Sequence, residues 1–240
     1  MGERLEWPDC LNVRELGGYD VGGRTSARRA IIRADNLNRL TSDGRAALVA
    51  YGVRTVIDLR DPREIERFPY PFTVSDVPAV TWRNVPLISQ REWEAIRDPE
   101  RRREGYVLTA KLSLANIAAA LAAVADAPDG AVVLHCHAGK ERTGIVAALL
   151  LALAGASDEL IGADWAMSDD FLGPLYEQWV ADEIDPEKRA ARLDSFRSRP
   201  EHIVAVLDHM RRETGSVEAY LVAGGLTPRA IDRIRERFIA

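Results

Sequence analysis

Hydrophobic and polar positions along this chain fall into segments of different period. In "NVRELGGYDVGGRTSARRAIIRAD", residues 12–35, β-branched and polar residues alternate, and glycine pairs interrupt them at 17–18 and 22–23. That pattern predicts short hairpin-like strands joined by turns that need positive φ. "VRTVIDLR", residues 53–60, predicts a short buried strand with a charged end. "TWRNVPL", residues 81–87, is a weaker strand pattern that Pro86 closes.

Between 89 and 110 the pattern changes to charge, with Trp93, Ile96, Tyr106 and Leu108 spaced among Arg and Glu. This predicts amphipathic helical pieces inserted between core elements. Lys111 to Ala127 has helical spacing and is rich in Ala and Leu, and Pro128, Asp129 and Gly130 end it. "AVVLH", residues 131–135, then predicts a buried strand, and Thr143 to Leu153 an almost wholly apolar helix ending near Gly155. Residues 157–240 read as helical throughout. Ser157 with Asp158, Ser216, and Thr227 followed by Pro228 supply capping signals, and residues 182–200 are highly charged and predicted to be exposed. Helix, strand, glycine-bearing loop and helix in that order predict an α/β fold with the loop at the carboxyl end of a strand. With no repeat, low-complexity tract or flexible linker, residues 1–240 are expected to form a single domain.

Composition narrows the function. The chain of 240 residues is 47% hydrophobic and carries a formal net charge of −5. It has no global positive field to hold a nucleic acid or an anionic membrane, so any anion site must be local. Two distant cysteines, Cys10 and Cys136, make no disulfide framework and point to a reducing compartment. The N-terminus shows no apolar export segment, and Glu6 stands where a myristoylation motif needs Ser or Thr. The longest apolar run, Ile145 to Ala156, is too short to span a bilayer, which needs roughly 20 residues. No integral membrane segment is expected. The expected location is cytoplasmic, and signal-less secretion stays open.

The candidate chemistry lies in "HCHAGKERTG", residues 135–144. A zinc site needs three or four converging ligands, but successive residues leaving a strand point to opposite faces, so His135, Cys136 and His137 do not converge. His202 and His209 lie seven apart on a helical pattern and read as solvated or partly packed side chains. No metal or other cofactor is expected. A nucleotide-binding loop would need Gly at 134 and Ser or Thr at 141, where this chain has Leu134 and Glu141. What remains is Cys136, five residues, then Arg142, on a turn leading into a helix. Such a turn gathers the backbone N–H groups of His137, Ala138, Gly139, Lys140 and Thr143 into an anion nest reinforced by the helix dipole. Gly139 permits the tight turn, and Gly144 the close approach of the helix to its neighbours. Arg142 brings a two-pronged donor to phosphate oxygens, and Lys140 a point charge. Cysteines at helix N-termini beside cations are activated as thiolates. The pattern fits attack at phosphorus through a phosphocysteine, without a metal ion.

"HCHAGKERTG" resembles the active-site loop of the cysteine-dependent protein tyrosine phosphatases, in particular the bacterial branch with His-Cys-x-Ala-Gly-Lys-Asp-Arg-Thr-Gly. "NVRELGGY" (12–19), "VIDLR" (56–60) and "SVEAYLVAGGL" (216–226) are similar to further motifs of that branch. The resemblance implies a phosphatase-like α/β fold, with a mostly parallel sheet flanked by helices and helical lid insertions at about 89–110 and 170–200. It implies Cys136 as nucleophile, Arg142 as phosphate clamp, Lys140 as an aid to binding, Asp58 and Arg60 at the pocket border, and His135 as support from the strand end. The family most often has Asp where this chain has Glu141. That acid is the branch's favoured proton donor, so Glu141 is the first candidate, with Asp58, Asp61, Asp98 and Asp164 as alternatives.

The expected substrate is phosphotyrosine in proteins, with phosphoserine or phosphothreonine as an extension and a phosphoinositide as the alternative. The arginines at 97, 101, 102 and 103 would serve an acidic partner or simply form a solvated face. A rhodanese-type sulfurtransferase also uses a loop cysteine, but its loop is shorter and lacks the Arg-Thr-Gly that begins the helix. A non-catalytic phosphate-binding module would have no need of both Cys136 and Arg142. No obligate protein partner is implied.

Overall fold

The computed structural model describes residues 2–70, 77, 79–88 and 102–239. The inserted segment read at 89–110 is therefore described only from 102 onward, and Asp98 lies outside the described residues.

Arg14–Glu15 (β1) precedes a hairpin of Asp20–Val21 (β2) and Arg24–Thr25 (β3), and Ile31–Ala34 (β4) follows. Gly22 and Gly23, at φ 66° and 79°, make the hairpin turn in the conformation the sequence pattern requires. Val53–Asp58 (β5), Thr81–Asn84 (β6) and Ala131–His135 (β7) complete a five-stranded sheet of order β1-β4-β7-β5-β6. β4, β7, β5 and β6 run parallel, and only β1 is antiparallel. Ala34 pairs with His135, His135 with Asp58, and Asp58 with Asn84, so four strands end at one level. Ligands of open α/β sheets bind at that edge.

Alternating side chains divide the core in two. Ile31, Ile57, Val132 and Leu134 pack on one face with helices Leu114–Ala125 (α4) and Glu141–Ala154 (α5). Ile32, Ala34, Val56 and Val133 pack on the other with Trp7, Leu37 and Leu48, the last from helix Ser42–Tyr51 (α1). β7 is buried at all five positions, as a central parallel strand covered on both faces must be.

The C-terminal part is helical as read: Asp158–Ala166 (α6), Ser168–Trp179 (α7), Pro186–Ser195 (α8), Pro200–Thr214 (α9), Val217–Ala223 (α10) and Pro228–Phe238 (α11). Ser157, Ser216 and Thr227 each accept a backbone N–H of the first turn that follows, each cap contributing about 1 kcal/mol. Two features differ from the sequence reading. The Ala-rich segment is not continuous: Arg102–Leu112 (α3) ends at Ser113, and α4 leaves at 74° to it. His202 and His209 are buried in α9, beyond the solvated or partly packed setting read for them. Among the described residues no single helix is long and apolar enough to cross a membrane.

Candidate active site

β7 ends at His135 and α5 begins at Glu141, so residues 136–140 form the turn between them. Gly139 sits at φ 65°, and a Cβ there would lie 2.4 Å from the Ala34 carbonyl oxygen. Only glycine lets the loop press this closely on the end of β4. At Gly144 a Cβ would lie 2.7 Å from the Trp165 ring, so α5 and α6 touch through that glycine.

The loop carbonyls are gripped from outside. Asn36 donates its backbone N–H to His137 O at 3.0 Å, and Asn12 Nδ2 donates to Ala138 O at 3.0 Å and Gly139 O at 3.2 Å. Arg33 Nη2 donates to Gly139 O at 2.8 Å and to Lys140 O at 3.4 Å. In a trans peptide the C=O and the following N–H point in opposite directions. Fixing these carbonyls outward turns the N–H groups of Ala138, Gly139, Lys140 and Glu141 to the concave side.

Cys136 is a free thiol, 1% exposed. Arg142 is 6% exposed and forks onto Glu64, with Nη2 2.9 Å from Oε1 and Nη1 bonded to Oε2. Burial works against the Arg142 charge, but Cys136 and Glu64 outweigh it and push its pKa up. Glu64 is a residue the sequence reading missed. It lies in helix Pro62–Arg67 (α2), where Asp61 and Glu64 form a reciprocal capping box. The Asp-Pro-x-Glu spacing could have placed that box, but not its partner. Burial raises the Glu64 carboxyl and Arg142 more than offsets this, holding it below the ordinary range.

Lys140 is 1% exposed; its ammonium donates to Phe196 O, lies 5.1 Å from the Tyr176 ring centre and 3.7 Å from Glu141 Oε1. Glu141 is the first helical residue, its side chain 19% exposed. Thr143 Oγ1 is buried with no hydrogen-bond partner among the described residues. Ala138 packs against Leu172, Leu175 and Tyr176 of α7, so the segment near 170–200 covers the loop. The His137 ring lies between Phe68, at 5.2 Å, and a parallel Trp179, at 6.3 Å, on the rim. Burial and the nearby Arg142 hold that ring below its ordinary pKa despite Glu64.

The alternative acids separate cleanly. Asp58 accepts from Arg60 Nη2 at 2.7 Å and from the Tyr70 hydroxyl at 2.7 Å. Burial raises its carboxyl, but His135 and Arg60 more than offset this and hold it below the usual range. These partners favour the ionised carboxylate at Asp58 over a proton-donating acid. Arg60 is fully buried, and Asp58, Asn36 Oδ1 and the Phe68 carbonyl accept from it, so it braces the ends of the strands beside the loop. His135 is fully buried between Tyr70, at 2.8 Å from Nε2, and the Cys136 carbonyl, and burial presses its pKa down to about 4. Asp61 caps α2. Asp164 is buried against Arg14 and Arg33; burial opposes its charge, yet the two guanidinium groups hold it at about 2. Among the described residues no group of three or more His, Cys, Asp or Glu side chains could hold a metal ion.

A buried cysteine and a buried arginine spanning an amide-lined turn, at the carboxyl ends of parallel strands, define the class of cysteine-dependent phosphatases. The chain belongs to the tyrosine phosphatase family, whose model matches residues 5–240. It is 31% identical over 218 residues to a tyrosine-protein phosphatase of Nostoc commune, covering 87% of this chain and 74% of that protein. It is 28% identical to the triple specificity protein phosphatase PtpB of Mycobacterium tuberculosis, covering 94% of this chain and 98% of the relative. The protein is thus a phosphatase, and the sulfurtransferase alternative falls away.

Proposed function

We propose that the protein hydrolyses phosphotyrosine in proteins through a phosphocysteine on Cys136. The observation that carries this reading is the loop, whose outward-held carbonyls leave an amide nest between a buried Cys136 and a buried Arg142. In the first step Cys136 Sγ attacks phosphorus, an S–P bond forms, the ester P–O bond breaks, and the aryl oxygen leaves with a proton from Glu141. The loop amides and Arg142 hold the non-bridging oxygens as charge develops on them. In the second step water attacks phosphorus, gives a proton to Glu141, and the S–P bond breaks to release phosphate. Thr143 in the first turn of α5, whose buried hydroxyl has no hydrogen-bond partner among the described residues, would donate to the departing sulfur. Glu141 is favoured as the acid because Asp58, Glu64 and Asp164 are each paired with neighbours that lower their carboxyl pKa, Asp58 with His135 and Arg60, Glu64 with Arg142, and Asp164 with Arg14 and Arg33.

Preference for an aryl ester is supported by the nearly inaccessible sulfur and by the His137, Phe68 and Trp179 rings at the rim. The names of both relatives support a protein substrate, and the triple-specificity name supports extension beyond tyrosine. The segment 170–200 serves as a lid, supported by the contact of Lys140 with Phe196. The family match over 5–240 supports one phosphatase domain, and the free thiols of Cys10 and Cys136 support a reducing, cytoplasmic setting.

The test is a screen of p-nitrophenyl phosphate, phosphopeptides and phosphoinositides with wild type and Cys136→Ser. Wild type should turn over phosphotyrosine peptides fastest, with an optimum at about pH 5–6.5, and Cys136→Ser should lose turnover while still binding phosphate. Near-normal turnover by Cys136→Ser would end the proposal, and faster turnover of phosphoinositides would transfer it to lipid substrates. Glu141→Gln should slow esters with poor leaving groups far more than activated ones.

A further inference from the structure

Beneath the phosphate loop lies a cluster that the chemistry above does not use. Arg14 and Arg33 are fully buried and face one carboxylate, Asp164, itself 2% exposed. Arg14 Nε lies 3.1 Å from Asp164 Oδ1, Arg33 Nη1 bonds Oδ2, and the Tyr19 hydroxyl donates to Oδ1 at 3.0 Å. Arg14 Nη1 also bonds Asn12 Oδ1, which turns the Asn12 amide nitrogen toward the Ala138 and Gly139 carbonyls. Ser168 Oγ, at the start of α7, accepts from both arginines at 3.3 and 3.4 Å.

Two guanidinium groups against one carboxylate leave a net positive charge in a fully buried site. Such clusters cost more in desolvation than hydrophobic packing would, so they do little for stability by themselves. The excess charge instead lies directly behind the carbonyls whose opposite N–H groups receive an anion, where a low local dielectric magnifies it. We propose that Arg33 is a positioning residue of the phosphate loop, fixing the Gly139 and Lys140 carbonyls, and that the Arg14–Asp164–Arg33 cluster supplies the positive potential behind the bound phosphate. This rests on the phosphatase reading above.

The test compares charge changes of opposite sign in the full chain: Arg33→Met, Arg33→Lys and Asp164→Asn. Inorganic phosphate affinity by calorimetry and the rate of Cys136 alkylation by iodoacetamide at pH 6 are measured beside the unfolding midpoint. Arg33→Met should weaken phosphate binding about tenfold or more and slow alkylation. Arg33→Lys should restore most of the alkylation rate but only part of the affinity. Asp164→Asn removes negative charge, so it should speed alkylation and keep or tighten phosphate binding even though it lowers stability. A purely structural cluster would lower both readouts in both variants in proportion to lost stability, and that result overturns the proposal, as does unchanged phosphate affinity in Arg33→Met. If Arg33→Met does not fold, the opposite responses expected of Arg33→Lys and Asp164→Asn in phosphate affinity decide the matter. Loss of the phosphatase reading shows separately, as wild-type turnover that does not depend on Cys136.

Discussion

On the β4 side of the phosphate loop the contacts are buried, polar and directional: Asn12, Arg14, Arg33 and Asp164 are 2% exposed or less. On the α7–α8 side the neighbours are rings, with His137, Trp179 and Phe196 half-buried and Lys140 holding a single carbonyl of the chain between α8 and α9. The first surface has fixed partners with fixed directions and sets the shape of the loop. The second is built of aromatic contacts between half-buried rings, the kind of surface the proposed lid would need. The division places directional polar bonds behind the loop and ring packing in front of it.

The sharpest way to break this contrast is Asp164→Ala. It leaves two buried guanidinium groups facing each other, and urea unfolding should show a loss of about 3–5 kcal/mol. The buried groups also make acid a selective reagent. Asp164 has a folded pKa of about 2, so its contribution is complete above the ordinary carboxylate range and is lost as pH falls from about 4 to 2. His135 is held neutral with a folded pKa of about 4, while the unfolded chain takes up a proton from about 6.5 downward. Its contribution is therefore lost as pH falls from about 6.5 to 4, with His137 and His209 acting in the same direction. Urea midpoints should decline in both windows, and His135→Gln should flatten the upper one.

Gly139→Ala comes next. The Cβ displaces the loop from Ala34, and turnover should fall about a hundredfold or more, the scale of losing one anion-stabilising donor, with a smaller loss in stability. On the outer side, Trp179→Ala should cost only about 1–2 kcal/mol, since the ring is half-buried. Its main effect should be a higher KM for aryl phosphates. The smallest effect belongs to Arg211→Ala, which removes a two-pronged pair with Asp158 at 2.6 and 2.7 Å on the surface. Solvent screening limits that pair to about 0.2–1 kcal/mol, measurable by the same urea titration. Equal losses in Arg211→Ala and Asp164→Ala would erase the distinction between the buried cluster and ordinary surface pairing.

Local signals in the chain were readable where local physics decides. Gly22-Gly23 makes the hairpin turn, Ser157, Ser216 and Thr227 cap their helices, and Gly155 ends α5 at φ 94°. The break at Ser113 was not readable because no Gly or Pro marks it. It arises because α3 packs on α9 while α4 packs on α11. The candidate acids were not separable in the sequence for a related reason. Asp58 and Asp164 look alike as candidates in a string of letters, but their behaviour depends on which guanidinium lies beside them after folding. Glu64 carried no reading in the sequence; in the fold it completes the capping box of α2 and is the partner of Arg142.

By itself the sequence determined the strand, the turn and the helix that carry Cys136 and Arg142, because glycine at Gly139, burial of "AVVLH" and the apolar helix after it are encoded within a few residues. "NVRELGGY" signalled the family, but its task was invisible: Asn12, Arg14 and Tyr19 meet the loop and Asp164 across 126 to 150 residues of chain. Only the tertiary structure decided which carboxylates remain ionised and which way the loop carbonyls turn. Charge pairing and desolvation depend on distance in space, and periodicity along the chain carries no record of them.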